Sequence, residues 1–137
     1  FYQGDVDMDM FRHAAKESKN PLCYNGDLFT PEDCKKVAAE FPQLEAMMLG
    51  RGLVADPGML LPGGTDIAVL EKFFDALLEE YIVLFGGSRN AMFRLKENWS
   101  FLIPRFQVDE KLAKRLRKTT DLGEYRTIAQ EIFQSLK

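Results

Sequence analysis

The sequence predicts an α/β segment of parallel βα units followed by an all-α four-helix bundle, with the change of character at "LLPGGT", Leu60 to Thr65. Three observations predict it. Before that point helix-like and strand-like stretches alternate across short connections, the order that parallel βα units impose. Beyond it every apolar pattern has a helical period. The charge divides in the same region: residues 1–87 hold 7 Lys/Arg against 15 Asp/Glu, a balance of −8, whereas residues 88–137 hold 11 against 6, a balance of +5. A basic half joined to an acidic half points to an anionic partner for the basic one.

Element by element, "DMDMFRHAAKES" (7–18) reads as a helix that Asn20-Pro21 ends, and residues 21–25 as a short strand. Thr30 reads as an N-cap, Pro31 as the first helical residue, and Glu32 and Asp33 put acids in the first turn. That helix runs to Phe41 with Cys34, Val37, Ala38 and Phe41 on one face, and Pro42 closes it. "LEAMMLG", Leu44 to Gly50, is an apolar run too short for a helix and fits a strand buried on both faces. Pro62-Gly63-Gly64 is a linker, and Thr65 caps a helix whose apolar face is Leu70, Phe73, Phe74, Leu77, Leu78, Tyr81 and Phe85, stopped by Gly86-Gly87. A second helix spans about Ser88 to Ile103, with Met92, Phe93, Trp99 and Leu102 inward and Pro104 as its end. A third covers 109–119, and a fourth runs from Gly123 to Ser135 with Tyr125, Ile128, Ala129, Ile132 and Phe133 inward. The boundary between the two parts is set at residues 62 and 63.

Hydrophobic residues at 46% and charged residues at 28% describe a soluble globular chain. No apolar run approaches the roughly 20 residues that span a bilayer, and "FYQGDVDMDM" has neither the basic nor the apolar region of a signal peptide. Cys23 and Cys34 lack metal-ligand spacing and read as reduced thiols of a cytoplasmic protein, with no metal site expected. The start, with no Met and with Phe1-Tyr2-Gln3-Gly4 reading as mid-loop, suggests a piece of something larger.

The two strands end alike, in "YNGD" and "LGRG". An Asn-Gly pair after β-formers ordinarily marks a hairpin, but here Asn25-Gly26-Asp27 lies between a strand and a helix start. In a parallel barrel the C-terminal strand ends face the active site, and the last βα loops commonly bind phosphate. Glycine lets the backbone approach an anion closely, and Arg51, between Gly50 and Gly52, adds a planar cationic fork. The bland alternative is that Gly26 and Gly50 only permit tight turns and that Arg51 pairs with an acid such as Asp56.

The stretch "PLCYNGDLFTPEDCKKVAAEFPQLEAMMLGRGLVADPGML" resembles the final βαβα segment of the tRNA-dihydrouridine synthases, whose TIM barrel ends in an NGD loop followed by a GRG loop. "YQGDVDMDMF" resembles the stretch that follows their His-x-Arg-x-Arg loop, and the helical remainder resembles, more loosely, their tRNA-contacting domain. The resemblance implies the last βα units of a flavin-binding barrel joined to a helical tRNA-binding domain. It implies FMN held on its phosphate and ribityl side by Asn25, Gly26, Asp27, Gly50, Arg51 and Gly52, with NADPH as reductant and a uridine of tRNA reduced to dihydrouridine.

The family's catalytic cysteine and its Lys and His flavin contacts lie on earlier loops whose motifs are absent here. Cys23, in a strand, and Cys34, on a helix's apolar face, are not proton donors by position, and His13 reads as structural or surface. No catalytic residue is therefore assigned, and the chain alone is expected not to catalyse. Lys111, Lys114, Arg115 and Lys118 recur at helical spacing as one cationic stripe, and Arg89, Arg94, Lys96 and Arg105 extend it as candidate tRNA-backbone contacts. A solvated helix face is the plain alternative, and Trp99 is expected in the core rather than stacking on a base. Two rival functions remain at this point: another FMN-dependent barrel, such as a dihydroorotate-type dehydrogenase acting on a small molecule, and a non-enzymatic helical binding module. Two parallel strands without neighbours expose edges and apolar faces, so self-association is expected.

Overall fold

The computed structural model describes residues 4–137 and divides the chain into two compact units, Phe1–Leu53 and Val54–Lys137. Phe1–Gln3, read above as loop, lie outside the described residues. The described residues are mostly helical, with one small parallel sheet. No helix among them is long and apolar enough to cross a membrane.

The first unit begins with α1 (Met8–Glu17), whose start is fixed by the Asp7 carboxylate accepting from the Met10 amide at 2.9 Å. Strand β1 (Cys23–Tyr24) pairs in parallel with β2 (Ala46–Met47), Cys23 opposite Ala46 and Tyr24 opposite Met47. Between them lies α2 (Pro31–Glu40), entered through a complete capping box. The Thr30 hydroxyl accepts from the Asp33 amide at 3.1 Å, and the Asp33 carboxylate accepts from the Thr30 amide at 2.9 Å. The core of this unit is Ala15, Tyr24, Leu28, Val37 and Phe41, with Phe11 edge-on to both Tyr24 and Phe41 at 5.0 Å.

Three expectations are corrected here. The run Leu44 to Gly50 is not a strand buried on both faces: only Ala46–Met47 is paired strand, Ala46 is exposed and Met48 is 55% exposed. Two strands leave this sheet without the flanking strands and the second covering layer that bury a parallel sheet on both faces. Ala38 faces solvent instead of the core, because Val37 and Phe41, one turn apart, already fill the contact. The GRG segment is not wholly loop, since Arg51 opens the short helix α3 (Arg51–Ala55).

The second unit carries α4 (Ile67–Phe85), α5 (Ser88–Arg105), α6 (Glu110–Lys118) and α7 (Leu122–Ser135), packed around one core. Trp99 is 1% exposed, meets Phe74 at 4.9 Å and Phe133 at 5.1 Å, and donates its indole N–H to the Tyr125 hydroxyl at 2.8 Å. That hydrogen bond satisfies the polar atoms of two large buried rings, which fixes one packing arrangement. The five inward residues of α7 expected from periodicity, Tyr125, Ile128, Ala129, Ile132 and Phe133, are all buried.

Here too the structure departs from expectation. Asp66, not Thr65, caps α4, accepting from the Ala68 and Val69 amides. Thr65 serves the preceding loop instead: its hydroxyl bonds the Asp56 carboxylate and accepts from the Gly58 amide at 2.8 Å. Pro104 does not end α5 but lies in its last turn, where Ser100, whose carbonyl it cannot bond, is exposed to solvent. Phe73, Phe85 and Phe93 are 51%, 40% and 50% exposed, so none of them is core. The inward ridge of α5 is Met92, Leu95, Trp99 and Leu102; Phe93 is turned about 100° from it, as successive helical residues must be.

Candidate functional site

In the first unit the loops after β1 and β2 meet, because parallel strands deliver their C-terminal ends to the same side. Asn25, Gly26 and Asp27 from one loop and Gly50, Arg51 and Gly52 from the other line a single concavity of about 520 Å³, together with Gly4, Asp5, Val6, Leu28, Phe29 and Met48. The structure thus brings all six proposed cofactor-binding residues together. A volume in the range of a few hundred Å³ is that of ordinary ligand sites.

The glycines play unequal parts. A Cβ at Gly52 would come within 2.0 Å of the Leu28 carbonyl oxygen, so this glycine lets the two loops touch. A Cβ at Gly50 would meet nothing within 4 Å, so Gly50 faces open space. Neither Gly26 nor Gly50 has positive φ; the left-handed residue in the NGD turn is Asp27, at φ 35°. Asparagine and aspartate tolerate that conformation better than other side chains, and it aims Asp27 across the concavity.

Arg51 is held by Asp27 in an exposed ion pair and lies over the Phe29 ring, 5.8 Å from its centroid. The plain alternative names an acid such as Asp56 as its partner, but that carboxylate is 3% exposed and bound to Arg105 at 2.6 Å in the second unit. Arg51 is half exposed, and an exposed pair of this kind contributes little stability, so its guanidinium can be released to another anion at small cost. Asp5 and Asp27 set two carboxylates against the one guanidinium of Arg51, so the concavity is not a preformed positive cradle. Gly50 leaves open space beside Arg51, and nothing in the concavity singles out a flavin ring.

Neither thiol belongs to the concavity. Cys23 is exposed on β1, and Cys34 is half-buried on α2, where burial raises its pKa and keeps it protonated. His13 lies on the exposed face of α1.

In the second unit the basic residues sort into two groups. Arg94 pairs with Glu97 at 2.5 Å, Arg105 with Asp56, and Arg115 with Glu131 at 2.7 Å. Lys96 donates to the carbonyls of Thr119 and, at 3.3 Å, Arg117, closing the C-terminus of α6; burial lowers its pKa. Lys111, Lys114 and Lys118, by contrast, are exposed on α6 with no carboxylate within 4 Å among the described residues, and Arg89 is likewise unpaired. Arg115 stands beside these lysines on the same helix in an exposed pair with Glu131. Arg117, which periodicity does not single out, is paired with Glu110 at 3.0 Å.

Compared with known proteins, the chain matches no family model and no curated sequence.

Proposed function

We propose that this chain carries the phosphate-binding loops and the RNA-binding helices of a cytoplasmic flavoenzyme resembling the tRNA-dihydrouridine synthases. The observation that carries the proposal is the convergence of NGD and GRG on one concavity at the C-terminal ends of adjacent parallel strands. That is where a barrel's last βα loops hold phosphate, and the fold class proposed for residues 1–62 is accordingly the end of a TIM barrel. Arg51 takes the phosphate of FMN, Asp27 releases it, and Asn25, Gly26, Gly50 and Gly52 border the phosphate and ribityl side. FMN, reduced by NADPH, supplies the hydride chemistry. The loops that would protonate the uracil are not among the residues of this chain, so no catalytic residue is assigned and the chain alone does not reduce uridine. The tRNA backbone lies on Lys111, Lys114 and Lys118, where positive charge gives affinity without sequence preference.

The test is to titrate FMN against the chain, following flavin fluorescence, and tRNA against it at several salt concentrations. Arg51→Ala should weaken FMN binding, with inorganic phosphate competing only in the parent. Lys114→Glu with Lys118→Glu should weaken tRNA binding and flatten the salt slope, by about one unit for each phosphate that is no longer neutralised. The Asp27–Arg51 pair favours one other reading, in which the loops are structural and the helices alone bind RNA. FMN binding that is absent or indifferent to Arg51→Ala, with the tRNA effects intact, selects that reading; an unchanged salt slope rejects both.

A further inference from the structure

Phe93 poses a question that its helix does not answer. A half-exposed phenylalanine one residue off the core ridge of α5 costs apolar exposure and contributes nothing to the core. It is not isolated. Phe85, at the end of α4, is 40% exposed and held edge-to-face by Tyr81 at 5.4 Å. Phe85 and Phe93 line one shallow concavity with Asn90, Arg94 and Glu97. Val83 and Leu84 are also exposed on α4 but are not part of that lining.

Two cations stand against the Phe93 ring. The Arg89 guanidinium, one turn before Phe93, lies 5.9 Å from its ring centroid, and the Lys96 ammonium, nearly one turn after, lies 5.4 Å away. The Lys96 ammonium also holds the carbonyls of Arg117 and Thr119, the residues on either side of Lys118. One ammonium thus ties the aromatic corner to the C-terminal end of the unpaired lysine stripe. Lysine is depleted from protein-docking patches; here Lys96 and Arg89 stand against the Phe93 ring, with an Arg94–Glu97 pair at the rim. Sites for unpaired RNA combine these same parts, an aromatic face for a base and a basic track for the phosphates beside it.

We infer that Phe93, with Phe85, is a stacking platform for an unpaired base of the RNA whose phosphates run along Lys118, Lys114 and Lys111. This rests on the RNA-binding reading above and adds to it a preference for single-stranded or looped segments over continuous duplex. Asn90 and Glu97 offer hydrogen-bonding groups at the rim of the same concavity, and Arg89 is free to swing from the ring to a neighbouring phosphate.

The test uses the whole chain, a single-stranded RNA oligonucleotide carrying one 2-aminopurine, and a blunt duplex of the same length. Stacking should quench the 2-aminopurine on binding, and Phe93→Ala should remove the quench and weaken single-strand binding about tenfold while leaving duplex binding unchanged. Phe93→Tyr, which keeps a ring, should retain both the quench and the affinity. If Phe93→Ala binds the oligonucleotide as the parent does, while Lys114→Glu with Lys118→Glu weakens it, the platform is wrong and the RNA reading stands. If the parent binds neither RNA, both fail. Unchanged RNA affinity together with loss of self-association in Phe93→Ala would give the corner to a second copy of the chain and overturn the inference.

Discussion

At the scale of single residues, the two glycines that flank Arg51 look equivalent in "LGRG" and are not. Gly52→Ala drives a Cβ into a backbone carbonyl that cannot move aside cheaply, whereas Gly50→Ala adds a methyl group to open space. Overpacking costs about 1–3 kcal/mol, and a carbonyl oxygen at 2.0 Å puts Gly52→Ala at the upper end of that range. Gly50→Ala should stay within about 0.5 kcal/mol of the parent. The measurement is urea unfolding followed by far-UV circular dichroism, with the emission of Trp99, the chain's one tryptophan, as a separate reporter on the second unit. Gly52→Ala should move the dichroism and leave the Trp99 transition in place; a common shift of both would show that the units do not unfold separately. Spacing alone marks both glycines as ligand-facing because a sequence shows which residues lack a Cβ but not what that Cβ would strike. Periodicity misplaces Phe93 for a related reason: Met92 and Phe93 are adjacent apolar residues, and only packing tells which of two neighbours faces inward.

At the scale of elements, the entry to α2 is legible because its signal is local: Thr30, Pro31 and Asp33 act within one turn. Asp33 accepts from two backbone amides, and the Thr30 hydroxyl, before those amides, holds its carboxyl below the ordinary carboxylate pKa. A lowered folded pKa means that the carboxylate stabilises the fold above its unfolded pKa of about 3.9. The contribution fades as pH falls through the folded value. Asp33→Ala should therefore cost about 1 kcal/mol at neutral pH and progressively less below pH of about 4. Urea midpoints of parent and variant across that range check it; a difference that stays constant into acid would mean that the carboxylate's charge plays no part. Where two capping candidates are adjacent, as at Thr65 and Asp66, the local rule cannot choose. The choice is made by Asp56, which is far in sequence from its partner Arg105 and draws the Thr65 hydroxyl into the buried end of an ion pair. Pairings of that reach, like Arg115 with Glu131 and Lys96 with the end of α6, decide which cations of the basic half stay unpaired. Periodicity places Arg115 in the stripe without showing that a carboxylate already holds it.

At the scale of the whole molecule, the two units differ in how completely they cover their own apolar and hydrogen-bonding groups. The second closes a continuous core around Trp99, Phe133, Leu95 and Leu102, with both polar atoms of its buried indole–phenol pair satisfied. The first has two paired residues in each strand, and the sheet contains no further strand among the described residues, so its outer edges carry unpaired backbone groups. Met48, the residue after β2, is exposed, and Ala46 and Cys23 are exposed within the strands themselves. Such edges template pairing with another chain unless charge or proline blocks them, and no lysine, arginine or proline lies within Ala46–Gly50 to do so. The chain should therefore associate with itself through the first unit as its concentration rises, while the Trp99 environment stays constant. Sedimentation velocity from dilute to concentrated solution measures the association, and Met48→Lys should weaken it by placing a charge at the exposed end of β2. A chain that stays monomeric and fully folded throughout would overturn this expectation and mean that the edges are protected by some other contact.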